Sequence, residues 1–319
     1  MANLDKDLLV EVASMYYLEN KTQSQIAKEL FMSRPKVSRL LHKARESQIV
    51  DIKINYESDS FSRLKSAMTR HFDLDNVVVV KSLTKEDDTI TEIGKAAASE
   101  LKYHLTDDMT IGISWGRTVK RTVDAFKKKP FKNINVVELF GAVNYRDDQP
   151  EMLSIGYDLS RKLKGNFFPL PAPVFIDDEK VRDTLINTPM IKETLKKSDD
   201  CDLIVTGLGV LNSKLPQKIW DTYVDKEAQS KIKNAGAIGY LLARFFDKNG
   251  EFIQSKINDN VIGIQTESIR NNKLFLVAGG VSKYKALYAF LKAGYVHTLV
   301  SDDKTLKRIL SYDRHLRGE

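Results

Sequence analysis

The chain has 319 residues, of which 42% are hydrophobic and 29% are charged. This composition is typical of globular proteins and excludes a disordered or fibrous chain, and the length predicts about two domains. The formal net charge of +7 suits a polyanionic partner, although where the charge lies along the chain is more informative than its size.

The single cysteine, Cys201, cannot form an intramolecular disulfide and is predicted to be a buried small hydrophobe. Residues Met1–Val10 lack the apolar core of a signal peptide. No apolar stretch approaches the roughly 18 residues that span a bilayer. We therefore expect a cytoplasmic protein with no membrane partner.

The first 55 residues are predicted to form a small all-α domain. Apolar residues recur at helical spacing over Leu8–Leu18. Thr22, with Gln25 three positions on, predicts a capping box at the start of a second helix. Ser33, followed by Pro35, predicts the start of a third. Two short helices joined by a tight turn form a helix-turn-helix.

Positive charge is concentrated in this module, because Lys21–Arg45 contains seven basic residues and one acid, Glu29. Phe31 stands in a turn that often carries glycine; a residue other than glycine can still take the left-handed conformation there, or the turn is adjusted. An ordinary helical module with a solvated basic face is the alternative, but pattern, caps and charge favour binding of double-stranded operator DNA. The predicted DNA-contacting residues are Thr22, Gln23, Ser33, Arg34, Lys36, Ser38, Arg39, His42 and Lys43.

Residues 56–319 are predicted to form an α/β domain, after a linker and an amphipathic helix that ends near Phe72. The expected strands are Val77–Val80, Met109–Ser114, Val136–Phe140, Leu203–Gly207, Leu274–Ala278 and Val296–Val300. The expected helices lie near Ile93–Leu101, Val119–Lys127, Leu153–Leu163, Val181–Leu195 and Lys283–Ala293. This alternation predicts a mainly parallel sheet covered on both faces, with a ligand beyond the carboxyl ends of its strands.

Several of these strands are followed by glycine and polar residues. In Gly112–Thr118 and Ala278–Lys283, a loop leads into a helix whose free N–H groups can hold a phosphate or sugar hydroxyls. Glycines at one strand end often serve only a tight turn, but five such segments on one predicted face favour a binding crevice. The predicted effector-binding residues are Gly112, Ser114, Trp115, Gly116, Arg117, Thr118, Gly141, Asn144, Gly207, Gly209, Asn258, Asp259, Gly279, Gly280 and Lys283.

No nucleotide cofactor or metal is predicted, since neither glycine loop has the spacing of a dinucleotide or P-loop motif and no metal-ligand spacing is present. An enzyme of the sugar-phosphate isomerase type is the main alternative function. None of the five histidines belongs to a recognisable set of catalytic residues, and Asp259 is the best candidate for a general base. A DNA-organising protein without an effector is a further alternative, although the long second domain with its loops argues against it.

Several motifs resemble the SorC family of bacterial sugar-responsive regulators. They occur in family order over nearly the whole chain: Gln23–Ala27, Ser33–Leu41, Gly112–Gly116, Gly236–Phe246 with Gly250, Ile257–Asp259, Ala278–Lys283 and Leu299–Asp302. Together they divide the chain into a helix-turn-helix domain at 1–55 and an effector and oligomerisation domain at 56–319.

The resemblance implies a Rossmann-like effector domain similar to the sugar-phosphate isomerase and CoA-transferase fold, and a homo-oligomer, either a dimer or a tetramer. It also implies control of a sugar-utilisation operon by a sugar or sugar phosphate. The ligand groups it carries over are Ser114, Gly116, Thr118, Asp259 and Lys283, while Arg117 stands at a variable position. Phe140 precedes Gly141, so that turn has no lysine to form an imine, and reversible noncovalent binding is expected.

Overall fold

A computed structural model describes residues 2–47, 49–50, 59–142, 155–211 and 226–318. The chain divides into two compact units, Met1–Asn55 and Tyr56–Glu319. Within the described ranges, every helix is too short or too polar to cross a membrane.

The first unit contains three helices, α1 (Ala2–Tyr17), α2 (Gln23–Glu29) and α3 (Arg34–Glu46). The predicted capping box is confirmed: the N–H of Thr22 donates to Oε1 of Gln25 at 2.9 Å, and the N–H of Gln25 donates to Oγ1 of Thr22 at 3.3 Å. Of the two alternatives at Phe31, the structure shows the left-handed conformation, with φ of 50°. A small apolar core holds the helices together: Val12, Met15, Ile26, Ala27, Val37 and Leu41.

The second unit is a mixed α/β structure, as predicted. Its described helices are α4 (Asp59–Phe72), α5 (Glu86–Leu101), α6 (Arg117–Ala125), α7 (Ile155–Leu163), α8 (Glu179–Ile186), α9 (Pro189–Asp199), α10 (Lys226–Asn234), α11 (Lys256–Asp259), α12 (Thr266–Asn271), α13 (Tyr284–Lys292) and α14 (Asp303–Arg317). Its described strands are β1 (Asn76–Val80), β2 (Thr110–Ile113), β3 (Asn135–Glu138), β4 (Asn166–Phe168), β5 (Leu203–Thr206), β6 (Gly209–Val210), β7 (Gly239–Leu241), β8 (Arg244–Phe246), β9 (Lys273–Val277) and β10 (Thr298–Asp302).

Seven strands form one parallel sheet in the order β1-β10-β9-β5-β2-β3-β4. The helices α5, α6 and α7 cover one face of the sheet. The helices α4, α13 and α14 cover the other. Burial of the strands on both faces explains why they are nearly continuous apolar runs in the sequence.

The side on which the chain adds its next strand changes between β5 and β2. The strands β3 and β4 follow β2 on one side, whereas β9 and β10 follow β5 on the other. A crevice forms at such a switch point, beyond the carboxyl ends of the strands, because the loops there diverge to opposite faces. The order of the strands therefore locates the candidate ligand site before any side chain is considered.

Two features differ from the sequence expectation. The helix expected over Val181–Leu195 is broken into α8 and α9, because Pro189 cannot continue a helix from its N-terminal side and instead begins a new one. A second, antiparallel sheet of β6, β7 and β8 was not expected. Its hairpin turns through Leu242 and Ala243, both with positive φ, without the glycine or asparagine that usually marks such a turn.

Candidate functional site

The helix α3 has one buried face and one polar face. Val37, Leu41 and Ala44 are buried against α1 and α2. The hydroxyl of Ser33, which precedes the helix, makes no capping bond to it. The six predicted DNA-contacting residues on α3 are all exposed: Arg34, Lys36, Ser38, Arg39, His42 and Lys43. A short helix after a tight turn, with basic and hydroxyl groups on its free face, suits a DNA major groove.

A groove beside the start of α2 brings Thr22, Gln23 and Arg34 together. These residues were predicted from two different helices, and the fold joins them on one surface. Lys21 also lines the groove, but its Nζ forms an ion pair with Oε2 of Glu29 at 2.6 Å. The positive charge counted in the sequence is therefore partly neutralised by the protein itself.

In the second unit, the loops after β2, β5 and β9 meet at the carboxyl edge of three adjacent strands. These loops contain Ser114–Thr118, Gly207–Gly209 and Ala278–Lys283. Of the predicted effector-binding segments, these three are brought together by the sheet itself.

The loop after β2 leads into the N-terminus of α6. Ser114 is buried, with 4% of its surface exposed, and its hydroxyl has no hydrogen-bond partner among the described residues. Gly116 precedes the helix with φ of 149°, and no atom lies within 4 Å of the position its Cβ would take. No side chain caps the helix, and its first turn contains no acid. An uncapped helix N-terminus beside an open glycine attracts an anion.

The other residues of this loop have different environments. Thr118 is buried in the first turn of α6. The ring of Trp115 packs on that of Phe140, with centroids 5.2 Å apart, so the indole is held against the segment that follows β3. Arg117 is partly exposed, and its Nη1 lies 3.3 Å from Oδ1 of Asp87.

The glycine pair after β9 has a structural role that the sequence did not indicate. A Cβ on Gly279 would lie 2.3 Å from Ile93 and 2.7 Å from Oδ2 of Asp302. Gly280 has φ of 103° and donates its N–H to the same oxygen at 2.9 Å. The Oδ1 atom of Asp302 accepts the hydroxyl of Ser82 at 2.7 Å. Asp302 therefore anchors the loop, and an aspartate that ends a strand and caps the next helix was the signal that sequence reasoning missed.

Lys283 follows this loop at the start of α13, where its side chain is half-buried. The pKa of Lys283 is lowered to about 8: burial is the largest cause, the charge of Arg117 acts in the same direction, and Glu86 opposes them. Arg117 and Lys283 come from different loops, yet they lie close enough to influence each other's charge. Two neighbouring positive charges disfavour each other, and an anion bound near both relieves that repulsion.

Three of the predicted glycines, unlike a fourth, are required by close packing. A Cβ on Gly112, inside β2, would lie 2.3 Å from Leu139. A Cβ on Gly141 would lie 2.5 Å from the carbonyl oxygen of Ala172. Gly209 lies under the ring of Tyr240. At Gly207 the nearest atom to the Cβ position is 3.5 Å away, so packing does not require glycine there.

The predicted residues Asn258 and Asp259 lie in the short helix α11 rather than at the end of a strand in the parallel sheet. The amide of Asn258 accepts the N–H of Phe245 at 2.8 Å and donates to the carbonyls of Phe245 and Ile253. It holds β8 in place and has little capacity left for a ligand. Asp259 is exposed, and Asn144 lies outside the described residues.

Two further titratable groups, Glu138 and Cys201, have structural roles. Burial raises the pKa of Glu138, and its Oε2 accepts the N–H of Leu170 at 2.8 Å, which ties β3 to the segment that follows β4. Burial raises the pKa of Cys201 to about 12, as expected for a buried small hydrophobe. Over the described ranges, no group of His, Cys, Asp and Glu residues is arranged to hold a metal ion.

A helix-turn-helix unit joined to an α/β unit, with basic residues and an uncapped helix N-terminus at the carboxyl edge of the parallel sheet, is typical of one class: a DNA-binding regulator that responds to a small ligand. Residues 57–311 match the Sugar-bind family model, which describes a sugar-binding domain. The chain belongs to this family.

Known regulators are similar to this chain over nearly its full length. The deoxyribonucleoside regulator of Bacillus subtilis (strain 168) is 26% identical over 315 residues, covering 96% of this chain and 98% of that protein. The sorbitol operon regulator of Klebsiella pneumoniae is 25% identical over 310 residues, covering 96% and 98%. The solved structure of the full-length sorbitol operon regulator SorC from the same organism aligns with a TM-score of 0.78 at 25% identity, covering 96% of this chain and 99% of that chain. The SorC resemblance is confirmed, and the chain is a transcriptional regulator rather than an enzyme.

Proposed function

We propose that this regulator controls a sugar-utilisation operon and that a phosphorylated sugar, bound reversibly in the crevice, changes its affinity for DNA. The observation that carries the proposal is the uncapped N-terminus of α6 at the carboxyl edge of the sheet, where the loops after β2 and β9 also supply the basic residues Arg117 and Lys283. Backbone N–H groups and two cations from separate loops suit a phosphate dianion. A neutral sugar does not require them.

The sugar moiety is assigned to the polar groups beside this place. The hydroxyl of Ser114 is buried without a partner, and a bound ligand supplies the partner that a buried polar group requires. Thr118 offers a second hydroxyl. We retain Asp259 as a candidate contact to sugar hydroxyls and remove Asn258, because its amide is already bonded to the backbone.

On the DNA side, α3 is assigned to the major groove, with Thr22 and Gln23 at the backbone. Operator half-sites are expected at a spacing of roughly 10 bp or a multiple of it if two subunits bind together. We infer a homo-oligomer, dimeric or tetrameric, that acts in the cytoplasm where its operator lies. The effector changes DNA affinity because it binds two conformations of the regulator unequally.

A thermal-shift screen tests the effector assignment. Sugar phosphates are compared with the same sugars lacking the phosphate, because a ligand that binds only the folded chain raises its melting temperature. At least one sugar phosphate is expected to stabilise the protein well above its unphosphorylated partner. Equal stabilisation by both members of every pair, or by none, contradicts the phosphate assignment.

A further inference from the structure

The helices α5 and α6 lie side by side and both begin at the carboxyl edge of the sheet. They approach so closely that a Cβ on Gly94 of α5 would lie 2.5 Å from Cβ of Arg121 on α6. The first turn of α5 contains three acids, Glu86, Asp87 and Asp88, whereas the first turn of α6 contains none. The N-terminus of α5 therefore has its own carboxylates, whereas the N-terminus of α6 has no carboxylate in its first turn.

Two of the α5 acids face the cations of the crevice. Asp87 reaches Arg117 across the two helices, with Oδ1 and Nη1 3.3 Å apart. Glu86 reaches the second loop, because its Oε1 lies 3.5 Å from the Cβ position of Gly280, and its charge raises the pKa of Lys283. The four side chains therefore form one charged cluster that bridges the loops after β2 and β9.

We propose that Glu86 and Asp87 are internal counter-anions, which hold Arg117 and Lys283 in the ligand-free regulator and yield to the effector's phosphate. The inference rests on the proposed function, since it assigns a competitor to the same anion site. It also implies that these two acids set the affinity of this chain for a phosphorylated ligand.

The contacts of Glu86 and Asp87 with the basic residues are weak enough for a phosphate to displace them. The side chains of Arg117 and Asp87 are 41% and 79% exposed, and Glu86 is exposed as well. Exposed ion pairs contribute no more than about 1 kcal/mol and are screened by salt. A phosphate that also receives the N–H groups of α6 makes stronger, charge-assisted hydrogen bonds and displaces them.

Titration of the full chain with inorganic phosphate tests the inference, with the variants Asp87→Asn and Glu86→Gln. Each is expected to bind phosphate about two- to fivefold more tightly at low salt, which corresponds to the loss of an exposed ion pair, and the gain shrinks at high salt. Asp88→Asn is the matched control, because it removes the same charge from the same turn and leaves the Arg117–Asp87 pair in place.

A double variant distinguishes competition for Arg117 from a general change in field. In the Arg117→Ala background, Asp87→Asn is expected to produce no further gain. The inference is wrong if Asp87→Asn and Glu86→Gln bind phosphate no more tightly than Asp88→Asn, or if the gain from Asp87→Asn persists without Arg117. If phosphate binds neither the wild type nor any variant, the anion site itself is wrong, and the proposed function fails with it.

Discussion

Two serines of the second unit are almost equally buried but differ in their partners. The hydroxyl of Ser160 donates to the carbonyl of Tyr157 at 2.8 Å, whereas that of Ser114 has no hydrogen-bond partner among the described residues. A buried polar group without a partner costs free energy unless a ligand, an ion or an ordered water supplies the partner. This contrast is the reason for proposing Ser114 as a ligand contact.

Ser114→Ala is therefore expected to leave the free energy of unfolding of the ligand-free protein unchanged or to raise it by up to about 1 kcal/mol. The same change weakens stabilisation by the effector identified in the thermal-shift screen. Ser160→Ala, the matched control, loses about 1 kcal/mol because it removes a bond that is made. Chemical denaturation with and without ligand measures both effects. A Ser114→Ala protein as destabilised as Ser160→Ala contradicts the ligand assignment.

The pKa of Lys283 gives anion binding a pH dependence. Only the ammonium form attracts an anion, and its pKa lies near 8 in the ligand-free protein. Affinity is therefore expected to be nearly constant below that pH and to fall as the pH rises through it. Sulfate is a suitable probe, because its own charge is constant across about pH 7–9. The fall disappears in Lys283→Met, and a fall that survives this substitution assigns the titration to another group.

At the scale of elements, the close crossing of α5 and α6 holds the two helix N-termini of the site in place. Gly94→Ala places a methyl group against the backbone of Arg121, with 2.7 Å between the Cβ position and the carbonyl carbon. Overpacking of this kind costs about 1–3 kcal/mol in the free energy of unfolding. Gly207→Ala is the control, since its nearest contact is 3.5 Å. A Gly94→Ala protein as stable as the control shows that the helices move apart freely.

Different residues of α3 are expected to contact the bases and the phosphates of DNA. Arg39→Ala removes a predicted base contact, which costs about 1–3 kcal/mol of operator binding and lowers sequence preference. Lys43→Ala weakens binding to all DNA and reduces the salt slope. Titrations of operator and scrambled DNA at several salt concentrations measure both. Full operator affinity in Arg39→Ala excludes this helix as the recognition helix.

The elements were predictable from the sequence where their cause is local. Thr22 and Gln25 signalled a cap, and the apolar runs signalled buried parallel strands. The break at Pro189 was readable from the chain but was overlooked. The site was predictable only in part, because the strand ends were identifiable while the partners of their residues were not. The anchor at Asp302 and the pairing of Asp87 with Arg117 depend on strand order and helix packing, which sequence spacing does not encode.

At the scale of the whole molecule, the two units are useful as a regulator only if their ligands influence each other. An effector that changes DNA affinity must have its own affinity changed by DNA to the same extent, since the coupling free energy is shared. Regulators commonly show coupling of about 1–3 kcal/mol, or roughly 5- to 150-fold in affinity. The crevice and α3 therefore have to be tested together in the intact chain.

The most direct measurement is the affinity of the full-length protein for its own promoter DNA, at two salt concentrations, with and without each sugar phosphate that raises its melting temperature. We expect salt-sensitive binding that at least one of these ligands changes by about fivefold or more, while its unphosphorylated analogue has no effect. Binding that is insensitive to salt, or that is unaltered by every stabilising sugar phosphate, contradicts the account.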